Sequence, residues 1–480
     1  MLCRFPRLAQ SLWYDEMYTL VEYVVQPWHK ILAANPGEYV PNNHVLHTIL
    51  CKLVYTAGAK FGWCRDDGIL PFEALLRMPS FIAGVLLPLA VAWPLRKSQP
   101  RVAFLLGAIV TMNPWLIAFS TEARGYSLIL LFAAIATNLL PDGFKRWPIA
   151  YATMLISAIY TVPIAVVLIP AHILASFVLH RREQRQPLLD AWLKVLIIVI
   201  PVCALLYLPM ARAMFTYYSH PFETTITRGQ LLDQLPRYAL AGENLPRYSS
   251  RFGHVYFALP VLIFIFGTAC AIRQKSLHRP LVAFAITSAF GLALALISSH
   301  ATEVRFVPWI GIWLCIALAG ILTSADRGWL KHISTVGMIV TLAWMGLRDI
   351  QMLPSQQIKA AMIQADALSD RPVMMLYLGA RESAYLYGPL LSHPLAAAHD
   401  MPRFEQMETQ ILADTGSRPT IVLPYERLAK QRDIGEPDSA GLWTHLTDHY
   451  TCVMRLPGRV SDVAIYVPRD APIKPIARAD

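Results

Sequence analysis

Eight apolar runs, at 77–95, 101–119, 126–141, 191–210, 255–272, 281–299, 306–324 and 332–350, are each long enough, or nearly so, to cross a lipid bilayer. Nothing limits the fold more, because a backbone inside hydrocarbon must satisfy its own hydrogen bonds and a chain of this kind is left with helices. A further apolar stretch at 148–179 is too long for one crossing. Its Tyr160-Thr161-Val162-Pro163 segment supplies a break, since proline lacks a backbone donor and disfavours helix at the residue before it. Two short helices are expected there. The expected fold is an α-helical polytopic membrane protein with about ten transmembrane helices. Composition agrees, with 55% of the 480 residues hydrophobic and 15% charged.

The formal net charge of +10 raises the question of nucleic acid, but no basic face or stacking motif accompanies it, so no nucleic-acid partner is expected. Lysine and arginine gather instead in short loops between apolar runs. Arg96, Lys97 and Arg101; Lys145 and Arg146; Arg181, Arg182 and Arg185; Arg273, Lys275 and Arg279; and Arg327 with Lys331 all fall on one side if crossings alternate. The excess of positive charge makes that side cytoplasmic. The outer side then carries a first external loop 1–76, the turn Thr121 to Gly125, a long loop 211–254, the turn His300 to Arg305, and everything after about 351. Residues 43–61 must not cross if this parity is to hold. Their polar positions His44, Thr48, Cys51, Lys52, Tyr55 and Ala59 recur at helical spacing beside Val45, Ile49, Leu50, Leu53 and Val54, the pattern of a helix lying in the interface plane. A somewhat polar spanning helix is the alternative.

Two domains follow: 1–350, the membrane domain, and 351–480, a linker and a small soluble α/β domain. In the second, apolar runs shorten to strand length at Val373 to Leu378, Thr420 to Leu423, Cys452 to Leu456 and Val463 to Val467, with helical stretches near 382–392 and 440–449. The linker includes Gln351 to Ile363, and the alternation favours a partly parallel sheet. No phosphate-binding loop or nucleophile elbow occurs in it. Seven scattered cysteines without a CxxC spacing imply neither a disulfide framework nor a zinc site.

Several ionisable residues fall on the predicted outer face: Asp15, Glu16, His44 and His47 in the first segment, Arg77 at the start of a membrane helix, Glu122, Arg124 and Tyr126 in a tight turn, and Arg305 before a later helix. Charge at this depth is costly, and carboxylates with arginines there suit a base and a phosphate clamp. Arginine at a helix end is also often merely reaching for the interface. His44 and His47, three apart, either ligate a divalent ion with Glu16 or are hydrogen-bonded polar residues, the commoner use of such a pair.

Four strings appear in order: Ser-Leu-Trp-Tyr-Asp-Glu-Met-Tyr-Thr at 11–19, Pro-Asn-Asn-His-Val-Leu-His-Thr at 41–48, Leu-Arg-Met-Pro-Ser-Phe-Ile-Ala-Gly at 76–84 and Phe-Ser-Thr-Glu-Ala-Arg-Gly-Tyr-Ser at 119–127. Together they resemble the first third of the GT-C membrane glycosyltransferases, in particular the bacterial family 39 branch related to protein O-mannosyltransferases and the lipid A aminoarabinose transferase. Glu-Val-Arg-Phe-Val-Pro at 303–308 resembles that family's arginine-aromatic turn. The resemblance implies a cytoplasmic-membrane enzyme that transfers a sugar, with inversion, from a polyprenyl-phosphate donor to a lipid, glycan or protein acceptor at the outer face, as in lipopolysaccharide modification or protein glycosylation. It implies that Asp15 is the catalytic carboxylate, with Glu16 beside it, and that the first external loop holds interfacial helices. Family members begin with a membrane helix ahead of the acidic pair, whereas ten residues precede Ser11 here, so the expectation is a shortened chain, the alternative being a protein without a helix that should wall the site.

In that chemistry Asp15 takes the acceptor proton, and Arg305, followed by Arg77 and Arg124, steadies the leaving phosphate. Arg212 and Arg228 of the long loop stand behind these as substrate contacts with His44, His47, Glu122 and Tyr126. No cofactor is firmly implied, and a divalent ion stays open. A flippase for lipid-linked sugars is the rival. Such folds place charges and broken helices near the midplane in two matching halves, and no internal repeat of that kind is visible.

Overall fold

The computed structural model describes residues 4–33, 43–63, 72–140, 146–180, 185–219, 227–241, 253–298, 304–324 and, with short gaps, 354–471. Its contacts divide the chain into two units, Met1–Leu8 with Pro27–Gln351 and Ala9–Gln26 with Met352–Asp480. The N-terminal stretch 9–26 therefore groups with the C-terminal domain and not with the rest of the first loop.

The first unit is helical wherever it is apolar. Helices Phe72–Ala92, Pro100–Met112 with Pro114–Ser120, Tyr126–Leu139, Arg185–Tyr207, Gly253–Arg273, Lys275–Ile297 and Trp309–Thr323 answer the expected runs, while 332–350 lies outside the described residues apart from isolated positions. Among the described residues, Phe72–Leu95, Gln186–Ser219 and Lys275–Ile297 are long and apolar enough to span unaided. Pro100–Met112 and Pro114–Ser120 form a fourth such element, bent by 65°. Asn113 makes that bend sustainable: its Oδ1 accepts from the Trp115 and Leu116 amides at 3.1 Å each, and its Nδ2 donates to the Ala239 carbonyl at 3.0 Å. Backbone donors freed at membrane depth are thereby satisfied from within the protein. The expected break in 148–179 falls at Val162, which is extended between the Pro148–Thr161 helix and the Pro163–Val167 turn that leads into Leu168–Leu179.

One apolar core runs through these helices, from Leu87 and Leu106 through Trp115, Ile129 and Leu155 to Phe284 and Trp309. Polar side chains inside it are paired between helices. The Tyr151 hydroxyl meets His172 Nδ1 at 2.8 Å, and Trp192 Nε1 donates to Ser176 Oγ at 2.8 Å. Such bonds add modestly to association in lipid and restrict how neighbouring helices can rotate.

The helix over Val45–Lys60 has 16 residues, about 24 Å, short of the ~30 Å hydrocarbon core. Its polar face is the buried one: His47, Thr48, Cys51 and Lys52 point into the protein, and Leu53 is exposed. An amphipathic helix was expected here. That its polar side would be the side covered by protein is a finding of the structure.

The second unit is an α/β domain with a five-stranded sheet of order β2-β1-β3-β5-β4, where β1 is Val373–Leu376, β2 Leu395–Ala398, β3 Thr420–Pro424, β4 Tyr450–Leu456 and β5 Val463–Pro468. β1 pairs in parallel with β2 and β3, while β5 pairs antiparallel with β3 and β4, so the sheet is partly parallel as expected. β1, β3 and β5 are buried along their whole length, as strands covered on both faces are. The expected linker is shorter than read from the sequence. A helix begins at Ile358 and runs to Leu368, burying Ile358, Ala361, Met362 and Ala365.

Two further elements of this domain escaped the sequence reading. The Leu-Ala-Ala-Ala of β2 has little strand propensity and is held by its register on β1, Val373 opposite Leu395. The Met401–Thr415 helix was legible from its ends: Asp400 caps it by accepting from the Arg403 amide at 2.8 Å, and Gly416 closes it at φ 70°.

Candidate active site

In the helical unit several of the polar residues singled out in the sequence gather at or near the turn between Ser120 and Tyr126. His44, His47, Arg77, Glu122, Arg124 and Tyr126 are all buried, and Arg305, in the Val304–Phe306 turn, is half-buried. The Gly125 amide donates to His44 Nδ1 at 2.7 Å, and the His44 ring meets Tyr126 edge-on with centroids 5.1 Å apart. Gly125 is required by this approach, because a Cβ there would collide with the Thr161 side chain and stand 3.1 Å from His44 Nδ1.

Ser80 ties the second histidine to the same turn. Its hydroxyl donates to the Arg124 carbonyl at 2.7 Å and so accepts from His47 Nε2, 2.8 Å away. The hydrogen-bond geometry thus assigns His47 its Nε2–H tautomer and leaves His44 a lone pair on Nδ1. Electrostatics agree: burial first, and then the Arg124 charge, hold both rings neutral, His47 down to about 3 and His44 well below the usual imidazole range, with His47 and Arg305 adding to the effect at His44. Neutral histidines beside arginines leave the guanidiniums as the positive charges of this set. Arg124 lies 6.0 Å over the Tyr126 ring and Arg305 5.8 Å over Phe306.

Arg77 is committed to backbone, with its Nη1 donating to the Arg7 and Leu8 carbonyls at 2.9 and 3.0 Å. Arg4 does the same nearby, to the carbonyls of Gly84 at 2.9 Å and Thr111 at 3.1 Å. Arg212 and Arg228 are exposed on the Ala211–Ser219 and Arg228–Ala241 helices, outside the buried set. Among the described residues no three His, Cys, Asp or Glu side chains gather as a metal site. His44 Nδ1 and His47 Nε2, offered by the sequence as ligands with Glu16, are engaged as described, and Glu16 belongs to the other unit.

Asp15 and Glu16 are buried in the second unit, on a helix of six residues, Tyr14–Thr19. Glu16 Oε2 accepts from the Trp13 amide at 3.2 Å, closing the first turn as the reciprocal half of a capping box would. The Thr19 hydroxyl donates to the Asp15 carbonyl at 2.8 Å. A five-residue π-helical turn, Leu20–Val24, follows directly, closed by the Val25 amide on the Leu20 carbonyl at 3.0 Å. Such turns recur at functional sites.

The sequence reading passed over Ser80, although it lies inside one of the quoted strings. A lone serine in a membrane helix carries no signal until its partners are known.

No protein family's profile and no curated protein matches the chain. Solved structures do, among them two with TM-score 0.50 and 13% identity over 97% of this chain and 96% of theirs: ArnT from Cupriavidus metallidurans bound to undecaprenyl phosphate, and the same protein in its apo state. At that identity the likeness speaks of fold. The chain has the fold of ArnT: a polytopic helical membrane body with a small C-terminal α/β domain.

Proposed function

We propose that the protein is a glycosyltransferase of the cytoplasmic membrane that moves a sugar from a polyprenyl-phosphate donor to a glycolipid, polysaccharide or protein acceptor at the outer face. The observation that carries the reading is the buried gathering of Arg124, Glu122 and neutral His44 and His47 on a fold shared with an ArnT that binds undecaprenyl phosphate. The loop charges support the orientation.

In this reaction the acceptor hydroxyl or amine attacks the anomeric carbon and gives its proton to Asp15. The bond from that carbon to the phosphate oxygen breaks on the opposite face, its electron pair stays on the oxygen, and polyprenyl phosphate leaves. Configuration inverts. Arg305 and Arg124 hold the phosphate as its charge grows, which fixed cations in a site sheltered from water do better than exposed ones. Arg77 braces the chain behind them through the Arg7 and Leu8 carbonyls. Keeping His44 and His47 neutral preserves them as hydrogen-bonding groups for sugar or phosphate without adding charge.

Purified protein incubated with radiolabelled polyprenyl-phosphate sugar and candidate acceptors tests this. Transfer of label supports the reading. Movement of label across a vesicle membrane without transfer would make the protein a flippase.

A further inference from the structure

The strand order of the C-terminal domain reverses between β1 and β3: the chain leaves β1 for β2 on one side and β3 for β5 and β4 on the other. In open α/β sheets the carboxyl ends of strands at such a switch point form the crevice that receives a ligand. Here the chain's own N-terminal stretch packs just beyond the carboxyl end of β1, on the side of this switch point. Gly379, between β1 and the Ala380–Tyr387 helix, has φ 84°, and a Cβ on it would stand 3.0 Å from Tyr14 Cδ2 and 3.3 Å from Met17 Cε. Both the left-handed backbone and the close approach call for glycine.

The hold extends along the whole segment. At the far end of the Ala380–Tyr387 helix the Tyr387 hydroxyl accepts from the Leu12 amide at 2.9 Å. Gln356 Oε1 accepts from the Tyr14 amide at 3.2 Å. Ser11 Oγ accepts from the Lys359 amide at 3.1 Å, capping the Ile358–Leu368 helix from 348 residues away in sequence. The Ser383 hydroxyl approaches Met17 Sδ at 3.5 Å, and Arg381 pairs with Glu22 at 3.6 Å. Residues 11, 12, 14 and 17, on both sides of Asp15, are thereby pinned to the C-terminal domain.

A six-residue helix extended by one π-helical turn has little stability of its own, since nucleation is costly and isolated helices shorter than about 12–15 residues are marginal in water. Something else must fix where the Asp15 carboxylate stands. We infer that the C-terminal α/β domain performs that task, with Tyr387, Gln356 and Gly379 as positioning residues for Asp15. The inference rests on the reading of Asp15 as the base. A base works only within hydrogen-bond reach of the proton it takes, and a misplacement of about 1 Å costs roughly a hundredfold in rate.

Two full-length variants test it, with the wild type and Asp15→Asn in parallel. Tyr387→Phe removes the acceptor for the Leu12 amide, and Gln356→Met the acceptor for the Tyr14 amide; Gln356→Glu keeps an oxygen there. Tyr387→Phe and Gln356→Met should each lower kcat about tenfold, with the donor KM within about twofold of wild type, and Gln356→Glu should recover most of the loss. Amide hydrogen exchange over residues 11–17 should quicken in both slow variants while β1, β3 and β5 keep their protection. A wild-type kcat in Tyr387→Phe and Gln356→Met overturns the inference, as does unchanged exchange over 11–17. If Asp15→Asn is inactive while both variants turn over normally, only the positioning role falls. If Asp15→Asn transfers sugar like wild type, the reading of the base falls, whatever the exchange shows.

Discussion

The two polar centres of this protein are built by opposite means. The gathering around His44, His47, Ser80 and Arg124 draws on the Val45–Lys60 helix, the Phe72–Ala92 helix and the turn that carries Arg124, and its hydrogen bonds run from side chains to one another and to the Arg124 and Gly125 backbone. The acidic pair stands on a helix of six residues whose support comes from positions 356 to 387. The turn that carries Arg124 is held by side chains bonded directly to its backbone. A carboxylate on a short turn needs a scaffold, and the C-terminal domain supplies one. Damage to the first centre should therefore appear in donor binding and stability, and damage to the second in turnover.

The sharpest way to break this contrast is Asp15→Asn. Loss of a general base should lower kcat by about a thousandfold, with photolabelling by a polyprenyl-phosphate analogue kept at wild-type level. Loss of labelling as well would mean that the two centres do not divide the work. Next in size is Arg305→Ala, for which removal of a charge-assisted contact predicts a rise of about ten- to a hundredfold in donor KM and a smaller change in kcat at saturating donor. A pure kcat effect would move Arg305 to the turnover side of the comparison.

Ser80→Ala acts on stability. It deprives His47 Nε2 of its acceptor and the Arg124 carbonyl of its donor, which should cost about 1–3 kcal/mol, read as a lowered Tm in detergent. An unchanged Tm would show the helices alone suffice to hold the turn.

The smallest effect is expected at Glu408 in the C-terminal domain. Burial would raise its carboxyl, but hydrogen bonds from His445 at 2.9 Å and Tyr450 at 2.5 Å, with the His445 and Arg418 charges, outweigh burial and hold it below the usual glutamate range. A depressed folded-state value means that this stabilisation is complete above the unfolded-state value of about 4.3 and is lost as pH falls through the folded one. Glu408→Gln should therefore lower domain stability at neutral pH and flatten its fall below about pH 4.3, followed by urea unfolding at several pH values. An acid limb as steep as wild type would place the titrating group elsewhere.

The ordered helices at 72–92, 185–207 and 275–297 were legible because a lipid-facing stretch must be apolar for its whole length, and the break at Val162 because proline enforces it locally. The α/β character of the last part was legible from strand-length runs such as Thr420 to Leu423. β2 was not, since its alanines acquire strand geometry only by pairing with β1. Within the candidate site the identities of Arg124, His44 and Asp15 were visible, whereas Ser80 and Gly379 gained meaning from partners 44 and hundreds of residues away.

Hydropathy, a sum over neighbouring residues, thus determined by itself that this is a multi-helix membrane protein with a small C-terminal α/β domain. Which of its ionisable residues share a unit was decided by tertiary structure alone. The acidic stretch sits between two segments of the membrane unit in sequence, yet folds with a domain that begins more than 300 residues later. Local composition cannot encode that choice. It depends on the carboxyl end of β1, a left-handed glycine and a tyrosine hydroxyl that exist as one surface only after the sheet has formed.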